Sequence, residues 1–331
     1  MKQTFRGYYR PTILEFTALW KDAIFALDAN VLLNVYGYSP STRKALLTLL
    51  GAVSDRLWIP HQFAAEFQRN RAKVIVEQVS NYQTVRNQLK KILEQDFRAR
   101  HKHPFISRKS LAAFESLCRE LEKKEKEHQA LLSVDSHFER ITEILKGKIG
   151  PVFLEDELAP LHEEARRRYA KRVPPGYMDD QKPEPDSFGD FLGWRQILDH
   201  GQRSKKSLIL VTDEQKEDWW YIVKEIRLGP RPELLTEYAT ISGKDFYMYS
   251  VEQFIIRAQE HLGKKIGKEA LAEVRDRSAA QLVRDKTLKP LADKIRVAET
   301  VPVLKQAAED LSDSKASRNE TIKSTQKRES E

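Results

Sequence analysis

A single cysteine, Cys118, stands in a chain of 331 residues. One thiol cannot form an internal disulfide framework or a multi-cysteine zinc site, and it fits a reducing compartment. Long hydrophobic runs are missing too: nothing approaches the roughly 18 consecutive apolar residues of a membrane-spanning helix. The opening residues, MKQTFRGYYRP, lack the apolar centre of a secretory signal, so a cytoplasmic location is the expectation. A histidine cage for a metal is missing as well. His101 and His103 form an H-x-H pair, but no third ligand for zinc accompanies them.

Hydrophobic residues make up 40% of the chain and charged residues 32%, enough for a sizeable core beside a very polar surface. The length suits one large domain or two small ones. The formal net charge of +8 fits a polyanionic partner.

Apolar periodicity organises the chain. Residues 12–20 read as a short amphipathic helix leading into a strand that ends at Asp28. Ser39 and Ser41 offer N-caps for a helix through Leu50. A short strand from Leu57 stops at Pro60, and a helix starts at His61. Ile75, Val79, Tyr82, Leu89 and Leu93 then follow a 4-3 spacing, interrupted by Arg86. HKHPF breaks that stripe and Ser107 or Ser110 restarts it through Leu111, Phe114, Cys118 and Leu121. It fades across EKKEKEH and resumes at Leu132, Phe138, Ile141 and Leu145. This predicts a coiled-coil-like helical hairpin over residues 76–147, inserted into an α/β domain built from residues 1–75 and 148–262. The weak middle of its second helix is either solvated or met by a partner protein or a second copy. Ser187 is expected to cap the next helix, with Asp190 at its third position. KKSLILVTD reads as a fully buried strand and FYMY as another, followed by SVEQ as a cap. Residues 263–331 read as a charged tail, helical and then disordered. Strands separated by helices imply a parallel sheet covered on both faces.

Four carboxylates fall where the chain leaves a strand or enters a helix: Asp28 after AIFAL, Glu66 just after LWIP, Asp190 in FGDFLGW and Asp213 after LILVT. In open α/β sheets, ligands bind at the carboxyl ends of strands. Acids converging there make a cage for hard divalent cations and a reaction on phosphate. Each acid alone has a plainer reading. Asp28 is a good N-cap, Glu66 can pair with Arg69, and Asp190 suits a helix N-terminus. A phosphatase of the haloacid dehalogenase type needs a second Asp two residues after the first, and that position is Asn30.

DANVLLNVY, PHQFAAEFQRNR, PPGYMDDQK, FGDFLGW and VTDEQKEDWW, in that order, resemble the PIN-like nucleases, specifically a bacterial branch with a long helical insertion. The resemblance covers about residues 10–260. It implies an α/β fold: a PIN-like parallel sheet flanked by helices, with the hairpin inserted. It also implies that Asp28, Glu66, Asp190 and Asp213 hold Mg²⁺ or Mn²⁺, and that phosphodiesters are hydrolysed by water activated beside a metal held mainly by Asp28 and Asp213. Two positions depart from the family pattern: Ala29 stands where Thr is frequent, and Glu214 where a second Asp is usual. RNA is favoured over DNA as substrate, and an effector role in bacterial defence or a toxin-like system is implied. Asp218 is an auxiliary ligand, a partner orienting Lys216 or a water, or a plain helix-terminal acid. Asn30 and Thr212 are expected to orient Asp28 and Asp213 by hydrogen bonds. Trp219 and Trp220 read as core.

Basic residues cluster in QRNRAK, RARHKH and RRRYAKR. Arg69, Arg71, Arg166, Arg167, Arg168 and Lys182 are candidates for a groove that tracks a nucleic-acid backbone, although any one such run is also a solvated face. Two rival functions remain open. One is a nucleic-acid-binding scaffold that dimerises through the hairpin. The other is a metal-dependent phosphatase acting on small molecules.

Overall fold

The computed structural model describes residue 1 and residues 4–97 and 107–284. His101 and His103, the basic run around them and the end of the tail lie outside the described residues.

A capping box between Thr12 and Glu15 starts α1 (Ile13–Asp22). It leads into β1 (Ile24–Leu27) and the short α2 (Ala29–Leu33). Ser39 caps α3 (Pro40–Ala52), with Pro40 at the first position. β2 (Leu57–Trp58) and α4 (His61–Ile92) follow, then α5 (Arg108–Ala130), α6 (Ser136–Leu145), α7 (Glu155–Ala170) and α8 (Gly189–Ser204). The chain continues through β3 (Leu208–Val211), an antiparallel pair β4 (Trp220–Val223) and β5 (Ile226–Pro230), α9 (Pro232–Ser242), β6 (Phe246–Tyr249), α10 (Val251–Leu262) and α11 (Lys268–Arg284).

The main sheet has the order β2-β1-β3-β6, with all neighbours parallel. Helices cover both faces, as parallel strands require. Every residue of β3 is buried. From β1 the chain crosses to β2 on one side, and from β3 to β6 on the other. The order therefore reverses between β1 and β3, where the two strands splay their following loops apart and leave a crevice. Register pairs Leu27 with Val211, so Asp28 and Thr212 leave the sheet side by side at that point. This is an open parallel α/β fold with its sheet covered on both faces.

α4 runs unbroken across residues 75 and 76. Its first turns belong to the sheet domain and its distal part to the hairpin with α5. Arg86, the interruption in the apolar stripe, pairs with Glu125 at 2.8 Å, and Gln83 donates to the same carboxylate at 2.9 Å. The polar layer is thus met inside the chain. α6 returns to the domain, where Asp135 caps it and accepts from Tyr36 at 2.8 Å.

Two local expectations are corrected. Asp186–Phe188 is a 3-10 turn, so α8 starts at Gly189 with Asp190 in its second position, and Ser187 does not cap it. Ser187 is buried instead, its carbonyl accepting from Tyr169. The segment after residue 263 is not all tail. α11 docks on α3 with Val274 fully buried, and Glu273 accepts from the Ser39 amide, the Ser39 hydroxyl and the Thr42 hydroxyl.

Candidate active site

A cleft of about 660 Å³ opens at the reversal point. β1 supplies Asp28, α2 supplies Asn30, and the segment after β3 supplies Thr212, Glu214 and Lys216. One face of α4 adds Gln62, Phe63, Glu66, Arg69, Asn70 and Lys73, which recur three and four residues apart as neighbours on a helix must. The loop before α8 adds Asp179, Lys182 and Asp186, and the first turn of α8 adds Asp190.

Asp28 sits at the floor, 8% exposed. The Thr212 hydroxyl donates to its Oδ2 at 2.6 Å and the Asn30 amide at 3.4 Å. Burial pushes its pKa up to about 8, with Glu66, Glu214 and Asp190 adding to the rise against the Thr212 bond. Glu66 is raised by burial and by Asp190, against Lys182, Arg69 and Lys216. Glu214 is raised by burial, and its Oε1 accepts from the amides of Gln215 and Lys216. Of the three, Asp28 is met by neutral donors, the condition in which a buried acid recruits a cation or keeps its proton.

The other side of the cleft carries counter-charges of its own. Lys216 Nζ lies 2.9 Å from Asp179, 3.3 Å from Glu214 and 3.4 Å from Asp190. Burial disfavours its charge, but the three carboxylates outweigh burial and hold it as an ammonium. Asp179 also takes Lys182 at 2.7 Å, and despite burial the two lysines hold it below the usual carboxylate range.

Of the four acids expected at the site, Asp28, Glu66 and Asp190 line the cleft and Asp213 does not. Extended chain alternates its side chains, so Thr212 and Glu214 face Asp28 while Asp213 points to the opposite face of the sheet. There it is 2% exposed, with Asn34, Ser278 and the Val251 amide donating to it. Burial raises its pKa to about 6 against those three donors. Glu214 lines the cleft beside Thr212 instead, and of the two orienting residues expected, Asn30 and Thr212 both serve Asp28 while Asn34 serves Asp213. Asp218 is not part of the lining either. Its Oδ2 accepts from the amides of Gly176 at 2.9 Å and Met178 at 3.1 Å, which anchors the loop that carries Asp179. Gly176 has φ +97°, and a Cβ there would press on Tyr169 and Asp190, so the turn needs glycine. Trp219 and Trp220 are both 2% exposed and belong to the core, Trp219 with one edge on the cleft.

The basic residues divide as well. Arg69 and Lys182 line the cleft. Arg71, two residues from Arg69 on a helix, faces elsewhere: it pairs with Asp135 and lies over the Phe138 ring. Arg166 pairs with Glu163 and Glu184, and Arg168 with Glu237 at 2.6 Å. None of Arg166, Arg167 and Arg168 lines the cleft. Asn70 and Lys73 lie in the run QRNRAK, and reading the helical repeat forward from Glu66 would have picked them out of it in place of Arg71.

The donor set is all oxygen, from carboxylates with a threonine hydroxyl and an asparagine amide beside them, which suits a hard divalent cation. Among the described residues, no three His, Cys, Asp or Glu side chains already stand in coordinating geometry. That is compatible with Mg²⁺, which takes one or two carboxylates directly and completes its shell with water and substrate phosphate.

An open parallel α/β sheet with an acid-lined cleft at its order reversal defines the class: an α/β domain that gathers carboxylates at the carboxyl ends of its strands. The chain belongs to the PIN-like domain family, whose model matches residues 24–234. PIN-like domains are typically nucleases that generally use divalent metals such as Mg²⁺, so the family implies a nucleic-acid substrate. Neither a curated protein nor a solved structure matches the chain. No helix among the described residues is long and apolar enough to cross a membrane.

Proposed function

We propose that this protein is a metal-dependent nuclease that hydrolyses phosphodiester bonds, with Asp28, Glu66, Asp190 and Glu214 as its acids and RNA favoured over DNA. The observation that carries this reading is Asp28, a buried carboxylate at the reversal point, met by two neutral donors and surrounded by further acids. A scaffold gains nothing from such a group, whose ionisation costs stability. Asp28 with Glu66 would hold Mg²⁺ or Mn²⁺, and Asp190 and Glu214 would act on its water shell. Bound there, the ion supplies Lewis acidity towards the phosphate and the attacking water. Thr212 and Asn30 keep Asp28 oriented, and Asp28 must be ionised to act. Arg69, Lys73 and Lys182 at the rim attract the backbone.

The rim also bears on the phosphatase alternative. Glu66, Arg69, Asn70 and Lys73 extend along two turns of α4, about 10 Å at the helical rise, which is longer than one phosphate and fits a polymer track. The preference for RNA rests on the family resemblance. The test is cleavage of end-labelled single- and double-stranded RNA and DNA with Mg²⁺, Mn²⁺ or EDTA. Cutting of RNA that EDTA abolishes is expected. Hydrolysis of small phosphomonoesters alone would replace the nuclease reading with the phosphatase one.

A further inference from the structure

The cleft has two unlike halves. Beside β1 and α4, Asp28 and Glu66 face the opening, with neutral donors on Asp28. On the opposite side, Asp179, Asp190 and Glu214 converge on one ammonium, that of Lys216.

Lys216 is built into that place. Its carbonyl accepts from the amides of Trp219 at 3.2 Å and Trp220 at 3.1 Å, and its own amide donates to Glu214 at 3.0 Å. The Trp220 indole donates to the Glu214 carbonyl at 2.7 Å, which closes the turn. Both tryptophans are core residues, so the turn is fixed to the body of the domain. Asp179 is held as firmly, since Asp218 ties its loop down through Gly176 and Met178. The lysine and its partners are therefore positioned from separate anchors, and its side chain is only 18% exposed.

Two-ion phosphoryl-transfer sites hold their cations roughly 4 Å apart, one on each side of the reacting phosphate. In this cleft, a second ion on Asp190 and Glu214 would compete for oxygens that Lys216 already holds, and would meet its positive charge at close range. We propose that Lys216 stands in for a second metal ion: the cleft takes one divalent cation, at Asp28 and Glu66, and the lysine is the fixed second cation facing the substrate phosphate. This rests on the nuclease reading and adds to it the number of ions and the identity of the other charge.

The test is Mn²⁺ stoichiometry by isothermal titration and by electron paramagnetic resonance of the bound ion, on the full chain without substrate. The wild type is expected to bind one Mn²⁺, Asp28→Asn none, and Lys216→Gln two, with spin–spin broadening from the neighbouring ions. Lys216→Arg, which keeps the charge, is expected to bind one. Two ions in the wild type would overturn the inference, and so would one ion in Lys216→Gln or an ion retained by Asp28→Asn. If a two-ion wild type still cuts RNA in an EDTA-sensitive way, the nuclease reading stands while the inference falls. If the wild type binds no Mn²⁺ and cuts nothing, both fall together.

Discussion

The Thr212 hydroxyl donates to the Asp28 carboxylate across the seam between β1 and β3, at the point where the strand order reverses. The same oxygen accepts from the Glu214 amide at 2.9 Å, so one hydroxyl sets both an acid of the floor and the backbone of an acid of the wall. Thr212→Val keeps the shape and removes the donor. Loss of such a partner behind a metal-binding group typically costs about 10–100-fold in affinity or activity. Mn²⁺ affinity and cleavage rate are both expected to drop within that range while the circular dichroism spectrum holds. Unchanged Mn²⁺ affinity would detach Thr212 from the metal site.

Asp213 and Glu214 are adjacent but serve different faces, and substitution separates them. Asp28→Asn and Glu214→Gln are expected to abolish cleavage without lowering the melting temperature, and Asp28→Asn to raise it in EDTA at neutral pH, because a buried acid that resists ionisation is removed. Asp213→Asn is expected to keep Mn²⁺ binding within a few-fold. Its cost is stability, on the order of 1–3 kcal/mol, because a buried acceptor with three donors is replaced by an amide that cannot satisfy them all. Urea unfolding and Mn²⁺ titration on the three variants decide the matter. If Asp213→Asn loses the ion and Glu214→Gln keeps it, the fourth acid has been misassigned.

That pair also marks where sequence reading reaches its end. The runs AIFAL and LILV carry the apolar signature of strands buried on both faces, and Ser39 and Ser250 mark helix starts that the structure contains. Because β3 is buried on both faces, no alternation of polar and apolar residues told which of Asp213 and Glu214 faces the cleft. The β4–β5 hairpin was missed for a similar reason. Its turn places Lys224 and Glu225 at positive φ, where Asn-Gly would have announced it. Arg168 looked like a phosphate ligand because its partner, Glu237, is distant in sequence. α11 reads as a polar tail because its apolar face is short, Ala270, Leu271 and Val274, and the rest of its docking is polar contact to α3.

The pH dependence of stability follows from the raised acids. Asp28 at about 8 and Asp218 at about 7 are both shifted chiefly by burial, from an ordinary value of 3.8. Below 3.8 both folded and unfolded chains are protonated and nothing is lost. As pH rises, the unfolded chain ionises first, and the folded state is destabilised until its own groups ionise near 7 and 8. His137, His200 and His261 are lowered by burial and act in the opposite direction, but only below about 6.5. Between pH 6.5 and 9 the carboxylates are left to dominate. In EDTA the melting temperature is expected to fall over that interval, and Mg²⁺ is expected to restore more of it at pH 9 than at pH 6.5. Asp28→Asn should flatten the EDTA profile. A melting temperature that rises with pH in EDTA would contradict the burial of these acids.

α11 closes the back of the site. Arg277 lies over Tyr38 and donates to the Gly37 carbonyl at 3.2 Å and to Asn34 at 3.3 Å, and Asn34 in turn holds Asp213. A Cβ on Gly37 would overlap the Arg277 guanidinium. Gly37→Ala is expected to displace that side chain and increase hydrogen exchange across residues 268–284. Glu273→Ala removes the acceptor beside the first turn of α3 and should cost about 1 kcal/mol, the scale of a lost helix cap. Exchange in α11 that stays at the wild-type rate in Gly37→Ala would mean that Arg277 does not secure the helix.

The last prediction concerns which basic residues meet the polymer. Arg69, Lys73 and Lys182 line the cleft, Lys182 from its pair with Asp179, whereas Arg166 and Arg168 pair with Glu163, Glu184 and Glu237 away from it. A contact with phosphate releases condensed cations, so each one lost should flatten the plot of log affinity against log salt by roughly 0.7 on a single strand. In an Asp28→Asn background, which binds without cutting, neutralising Arg69, Lys73 and Lys182 together should therefore reduce the slope by about 2. The loss should be equal for all sequences, because phosphate contacts carry no base information. Neutralising Arg166, Arg167 and Arg168 should leave the slope alone and lower the melting temperature, since Arg168 is nearly buried and joins α7 to α9. A slope that responds to the α7 run and not to the α4 face would move the nucleic-acid path off the cleft, and would leave Arg69 and Lys73 as mere counter-charges to the acids.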